Sequence, residues 1–279
     1  MFKSKYSINK QKTGKFHINL GCQNRINETK TSKEWLTILS EIKPTNYNDK
    51  NRILLGILEK HRQVVVKIGP KETLKKEYTY GRTLYNRVPG FINFICFFEC
   101  EDDYSKYPNN TKPYLCENGK TSTDLMKILV MEYYPLGNFL NFPWKFNIIK
   151  LKSCLKQIVL SYFQAFIQFR FIHNDSHLQN ILLRRTKKEF IDYFPPFKIE
   201  SFGLQIVIMD MENSLTGKNN TDIIFVYRDI ARIFADLAYN NKSVVNVDEC
   251  VDIFTLLNKK FTEPPIDKLF ELIDLIKIK

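Results

Sequence analysis

Residues 149–171 carry Leu151, Leu155, Ile158, Val159, Tyr162, Phe163, Phe166 and Ile167 at helical spacing, on one broad apolar face. A helix with so wide an apolar face is stable only when a large body of chain covers it. The tightest constraint in the sequence lies at the end of this helix. With no turn-rich linker, the chain passes into Phe171-Ile172-His173-Asn174-Asp175-Ser176-His177-Leu178-Gln179-Asn180-Ile181-Leu182-Leu183. Apolar residues flank this run on both sides, yet its middle is polar and titratable. Buried polar groups cost free energy unless each finds a partner, so the run marks a place where such side chains have chemistry to perform.

The chain before that helix has a different period. Residues 35–42 form a short apolar run, closed by Lys43-Pro44-Thr45-Asn46-Tyr47-Asn48-Asp49. Residues 52–59 and 63–69 are β-rich and flank the turn Lys60-His61-Arg62. Over 71–87 the period turns helical through Leu74, Tyr78, Leu84 and Tyr85, with Gly81 as its weakest position. Two more strands are predicted at 91–99 and 125–133, separated by a polar loop insertion at 100–123. Beyond Pro135 helices dominate, with three more predicted at 229–240, 247–261 and 264–278; Pro264 and Pro265 suit the first turn of the last. Short strands at 181–184 and 205–209 flank a loop, 184–204, with Arg184, Arg185, Lys187 and Lys188 on one flank and Tyr193, Phe194, Pro195, Pro196 and Phe197 beyond. Residues 1–34 read as a polar, Lys/Asn-rich extension. The pattern is α+β: a strand-rich lobe with one helix over 35–132, then a mainly helical, abbreviated lobe over 133–279. A cleft between two such lobes is the natural place for a ligand.

A chain of 279 residues that is 44% hydrophobic and 26% charged can bury a substantial core, which excludes wholesale disorder. No apolar run is long enough for a membrane-spanning helix. The first residues lack the apolar stretch of a secretory signal, so the expected setting is intracellular, in cytoplasm or nucleus. The balance of 42 Lys+Arg against 30 Asp+Glu, net +12, attracts polyanions such as nucleotides. The basic residues are spread along the chain, so no dedicated nucleic-acid motif stands out. Cys22, Cys96, Cys100, Cys116, Cys154 and Cys250 form no CxxC pair, and no His lies near Cys96, Cys100 and Cys116 to complete a metal site. They are expected to be free, mostly buried thiols in a reducing compartment.

A second segment, Ile206-Val207-Ile208-Met209-Asp210-Met211-Glu212, is an apolar strand that ends in an acidic pair. An Asp at the end of a buried strand is well placed to hold a cation. Asn180 offers a carbonyl oxygen and Asp210 a carboxylate, and Mg²⁺ takes oxygen ligands together with substrate phosphates. The pattern HxDxxxxN over 173–180, followed by a strand ending in Asp210, resembles the catalytic loop and metal-binding segment of the protein-kinase-like superfamily. Further landmarks occur in the family's order. Val64-Val65-Val66-Lys67 resembles the strand whose lysine holds the α- and β-phosphates, and Glu77 its ion-pair partner on the next helix. Val130-Met131-Glu132-Tyr133-Tyr134-Pro135-Leu136-Gly137 resembles the last small-lobe strand and the hinge. Met131 would be the gatekeeper, and backbone groups near Glu132 and Tyr134 would bond adenine. Tyr227-Arg228-Asp229-Ile230 resembles the start of the central large-lobe helix, whose Asp braces the catalytic loop and could also cap that helix. The resemblance covers roughly residues 35–240.

It implies a bilobal kinase-like fold, ATP and Mg²⁺ as cofactors, and phosphoryl transfer. Asp175 would be the catalytic base. Lys67 would neutralise phosphate charge, and Asn180 and Asp210 would hold the metal. His177 stands where many protein kinases carry a lysine near the transferring phosphate. His173 is read as structural, bonding backbone near the metal segment. Glu212 is read equally as a surface carboxylate and as a second metal contact. The sequence also departs from the family. No glycine occupies 43–50, the place of the Gly-rich loop; Asp210-Met211-Glu212 replaces Asp-Phe-Gly; no Ala-Pro-Glu motif is present; and Asn174 stands where regulated kinases carry Arg. Activity independent of activation-loop phosphorylation is therefore expected. The first reading is a divergent, compact, virus-like Ser/Thr protein kinase with some haspin-like features, acting on a protein substrate that is acidic or associated with nucleic acid. The alternatives are a small-molecule kinase of the choline or aminoglycoside type, and a pseudokinase binding module.

Overall fold

Alternation builds the first half of the chain. β1 (Leu36–Glu41), β2 (Arg52–Leu58) and β3 (Arg62–Gly69) form an antiparallel meander. In β3, Val64, Val66 and Ile68 fall on one face of the pleat, so Val65 and Lys67 fall on the other. β4 (Phe94–Cys100) and β5 (Met126–Glu132) complete a five-stranded antiparallel sheet in the order β1-β2-β3-β5-β4. In this computed structural model the described residues are 35–42, 52–69, 72–100, 116, 126–240, 247–257, 259, 261 and 263–276. The predicted extension over 1–34, the segment 43–50 and most of the insertion over 100–123 lie outside them.

The outer face of the sheet carries a small apolar cluster containing Trp35, Leu54, Val64, Val66, Phe98 and Val130. The inner face carries Phe94, Leu129 and Met131, which belong to a much larger cluster reaching into the second half of the chain. Between the two halves lies α1 (Thr73–Leu84), whose buried residues Leu74, Glu77, Gly81 and Leu84 repeat at helical spacing. Three of the four are apolar or small. Glu77 is the exception, a carboxylate on the buried face.

α2 (Ile148–Phe169) is the long helix read from the sequence, and fourteen of its residues, from Leu151 to Phe166, are buried. Arg170 ends it in the left-handed region, φ 56°, and turns the chain into β6 (Phe171–Ile172). β7 (Ile181–Arg185), the hairpin β8 (Phe190–Asp192) and β9 (Lys198–Glu200), and β10 (Leu204–Ile208) come next. β7 pairs antiparallel with β10, setting Ile181 opposite Ile208. β11 (Leu215–Thr216) pairs with β6. The chain then runs through α3 (Ile223–Asn240), α4 (Val247–Leu257) and α5 (Ile266–Leu275). The class is α+β. No helix among the described residues is long and apolar enough to cross a membrane.

The structure corrects three expectations. Residues 184–204 are not a plain loop: Ile191 and Ile199 pair across the β8–β9 hairpin and are buried. Each strand alternates exposed, buried, exposed, but three residues are too few for that alternation to stand out in the sequence. The predicted helix at 229–240 begins earlier, at Ile223, so Asp229 is not its N-cap. Cys100 and Cys116 form a disulfide, and Cys96 is also disulfide-bonded. Among the described cysteines, Cys154 and Cys250 match the buried-thiol reading, whereas Cys96, Cys100 and Cys116 contradict it and give no support to a reducing compartment.

Candidate functional site

Lys67 and Glu77 meet because the pleat and the helix each put a charged group on an inward face. Both are nearly sealed from solvent, at 7% and 1% exposure. The Lys67 ammonium donates to Glu77 Oε2 at 2.9 Å and to Asp210 Oδ1 at 2.8 Å, and lies 3.6 Å from Glu212 Oε2. Three carboxylates thus surround one ammonium, and their oxygens lie within 4.8 Å of one another. Glu212, read from the sequence as equally a surface group, belongs to this cluster.

The electrostatics follow from that packing. Burial works against the charged form of Lys67, but Glu77 and Asp210 outweigh it and hold the ammonium well above the ordinary lysine value. Burial likewise pushes the Asp210 carboxyl up; the charge and hydrogen bond of Lys67, with His173 and His177 beyond, reverse this and leave it below 3.8. Glu77 goes the other way. Its complete burial dominates the pull of Lys67 and raises it above 4.5.

The loop after β6 is held from three sides. Asp229 Oδ2 accepts the backbone N–H groups of His173, at 3.1 Å, and Asn174, at 3.0 Å. Asp236, two turns further along the same helix, accepts the N–H of Leu178 at 2.7 Å. His173 Nε2 donates to the Met209 carbonyl at 2.8 Å, next to Asp210. The Met209 N–H donates to Asn180 O at 2.9 Å, and Asn180 Nδ2 donates to Asp175 O at 3.1 Å. Asp175 Oδ2 accepts from Asn213 Nδ2 at 3.0 Å. Asn213 lies in the single 3₁₀ turn directly after Asp210, which itself adopts φ 61°. The Asn180 side-chain amide thus ties it to Asp175, and its backbone carbonyl ties it to Met209, the residue before Asp210.

No protein-family model matches the chain, and no curated protein matches it. The functional reading therefore rests on the geometry of the site.

His177 precedes the 3₁₀ turn Leu178–Asn180 and is close enough to Asp210 for its charge to lower that carboxyl. Met131 is buried in β5 opposite Val65, two residues along each strand from the Lys67–Leu129 pair. Glu132 Oε2 accepts from Asn93 Nδ2 and from the Tyr134 hydroxyl, each at 3.3 Å. The Glu132 N–H donates to Asn93 O and the Tyr134 carbonyl accepts from Gly137 N–H, so these two backbone groups are already engaged. Asp229 carries a raised carboxyl because burial outweighs the His173 charge and the hydrogen bonds it accepts.

Sequence reasoning missed Asn213 and Asp236. Asp236 had a signal: it lies seven residues after Asp229, on the same helical face. Asn213 had a weaker one, a polar residue three positions past the strand-end Asp210.

Proposed function

We propose that the chain is an ATP- and Mg²⁺-dependent phosphotransferase with the two-lobed arrangement of the protein-kinase-like superfamily, acting as a divergent Ser/Thr protein kinase. The observation that carries this reading is the buried Lys67 ammonium held between Glu77 and Asp210, beside a braced loop that presents Asp175. An intracellular setting, with its supply of ATP, goes with it.

The donor set suits the implied metal. Asp210 and Glu212 are hard carboxylate ligands, and Asn180 is tied by backbone to the residue before Asp210. Three carboxylates around one ammonium leave negative charge in excess, which a divalent cation would balance. When bound, Mg²⁺ would neutralise phosphate charge as it develops. Lys67, held charged by its two partners, would bind the α- and β-phosphates. Asn213 fixes one oxygen of Asp175, leaving Oδ1 to face the acceptor hydroxyl. Asp175 takes the hydroxyl proton as that oxygen bonds the γ-phosphorus and ADP leaves. Asp229 and Asp236 hold the loop in place before substrate arrives, so little reorganisation is needed at the moment of transfer. Asn174 stands where regulated kinases carry the Arg that binds an activation-segment phosphate, which supports activity independent of activation-loop phosphorylation.

The test is transfer from labelled ATP with Mg²⁺ to a basic protein mixture, to the chain itself, and to choline and aminoglycosides. Transfer to protein is expected, with Asp175→Ala and Asp210→Ala each lowering it about a hundredfold or more. Transfer only to a small molecule favours the choline- or aminoglycoside-type alternative. Transfer that survives Asp175→Ala overturns the assignment of the base. A folded chain that transfers to nothing is a binding module.

A further inference from the structure

The described cysteines divide by place. Cys96 and Cys100 lie on β4, and Cys116 packs in the cluster on the outer face of the same sheet. All three are disulfide-bonded, Cys100 to Cys116. Cys154 and Cys250, in the helical half, are free thiols. Among the described residues, cross-links are thus confined to the half of the chain that carries Lys67 and Glu77.

The two faces of β4 do different things. Cys96, Phe98 and Cys100 alternate onto the outer face, so two of these three side chains are covalently tied. Phe94 and Phe97 seat α1. The Tyr78 ring stacks on Phe97 at 5.8 Å and meets Phe94 edge-on at 6.5 Å, and Gly81 lets the helix come down on the Phe94 ring. Tyr78 is next in sequence to Glu77. Strand register carries β4 to the lysine as well, since Phe97 pairs with Leu129 of β5 and Leu129 with Lys67 of β3. One strand therefore supports both members of the Lys67–Glu77 pair. It stands last in the sheet order, with β5 as its neighbour among the described strands.

We propose that thiol–disulfide exchange at β4 switches the Lys67–Glu77 site: the oxidised chain holds α1 on the sheet, and reduction loosens β4, frees α1 and parts Glu77 from Lys67. Cys100 is the point of attack. Both sulfurs of its disulfide are buried, so attack needs a local opening. Cys100 ends β4 opposite Met126, the first residue of β5, and the last rung of a ladder opens most readily. A thiolate of a dithiol reductant attacks Cys100 Sγ, the Cys100–Cys116 bond breaks, and Cys116 leaves as a thiolate. The reductant's second thiol then displaces Cys100 and closes the reductant's own disulfide. Two electrons and two protons pass to the protein, and a small-molecule disulfide reverses the step. The effect on activity rests on the phosphotransferase reading above, whereas the release of α1 does not.

The test compares the full chain, oxidised and after dithiothreitol, with thiols located by alkylation and mass spectrometry. Reduction should raise amide hydrogen exchange over residues 73–84 about tenfold while exchange over α2 stays unchanged, and transfer from labelled ATP should fall by a similar factor. Cys100→Ser combined with Cys116→Ser should raise the same exchange without reductant. Cys154→Ala combined with Cys250→Ala should leave the response to reductant intact. Disulfides that stay closed in the folded chain overturn the proposal, as do disulfides that open without raising exchange over α1. Exchange that rises equally over α2 also overturns it, because the whole fold is then loosened rather than one helix released. Transfer that ignores reduction while α1 is released overturns the link to the site. Release of α1 on reduction, in a chain that transfers to nothing in either state, upholds the switch and removes the kinase reading instead.

Discussion

Glu77 is the side chain whose position most depends on one partner. It is fully buried, and Lys67 is the cation that balances it. Removing one member of a buried pair leaves the other charged and desolvated, so Lys67→Met should destabilise the protein by about 3 kcal/mol at neutral pH. The sign of the pH dependence comes from Glu77. Its folded-state pKa lies above 4.5, so its contribution to stability is full below pH 4.5 and is lost as pH rises through the folded value. Without Lys67 that rise is larger. The deficit of Lys67→Met should therefore shrink as pH falls from 7 toward 4.5, read as the difference in urea midpoints between variant and wild type. A deficit that does not change with pH would mean that the buried carboxylate is not its source. At this scale the sequence was informative about residue types and order: Lys67 and Asp210 stand out against apolar neighbours, whereas Glu77, Asp175 and Asn180, set among polar residues, stand out only by their order with those two. It was uninformative about Asn213 and Asp236, whose roles depend on which loop the fold brings beside them.

Gly81 decides how closely α1 approaches the sheet. A Cβ at this position would fall 1.9 Å from Phe94 Cδ2 and 2.0 Å from Cε2, inside the ring of a fully buried residue. Glycine in a helix interior is ordinarily a liability of about 1 kcal/mol relative to alanine, and here that liability is accepted for contact. α1 also touches the second half of the chain, through the Lys76 ammonium on Glu212 O and a 2.9 Å hydrogen bond between the Tyr80 and Thr216 hydroxyls. Gly81→Ala should push the helix outward, lengthen the Lys67–Glu77 contact and cost about 1–3 kcal/mol by overpacking. Adding Phe94→Leu should restore part of the loss, as measured by thermal midpoints of the single and double variants. If Gly81→Ala alone is stabilising, the close approach is wrong. The sequence marked Gly81 only as a weak helix position, since period gives no distance to a facing strand. The β8–β9 hairpin was hidden for a related reason, because three-residue strands carry too little alternation to separate them from a loop. The Cys100–Cys116 pairing was hidden because spacing alone does not say which thiols the sheet brings together.

At the scale of the molecule, the two apolar clusters differ in extent. The outer one is confined to the sheet with Cys116, whereas the larger one joins the sheet's inner face to α2, α3, α4 and α5. The broad division into a strand-rich first half and a helical second half was legible, because strand-like periods predominate before Pro135 and helical ones after it. That a single core crosses this division was not, because residues such as Phe94 and Met131 look in sequence like any strand residues. A shared core couples the halves, so the described parts of the chain should unfold in one cooperative transition. The two tryptophans report on the two clusters. Trp35 lies in the outer one, 5.2 Å edge-on to Phe98, and Trp144 in the larger one, with its indole N–H on Phe139 O at 2.7 Å. Trp144→Phe leaves Trp35 as the only emitter, and Trp35→Phe leaves Trp144. Trp144→Phe forfeits a buried hydrogen bond and should lower stability by about 1 kcal/mol. Trp35→Phe should cost less, since its indole N–H has no partner among the described residues. Within each variant, tryptophan fluorescence and far-ultraviolet circular dichroism should give the same urea midpoint and the same slope. A Trp35 signal that persists after the helical circular dichroism has gone would show that the sheet folds by itself, and the two halves would then be independent units that meet only at α1.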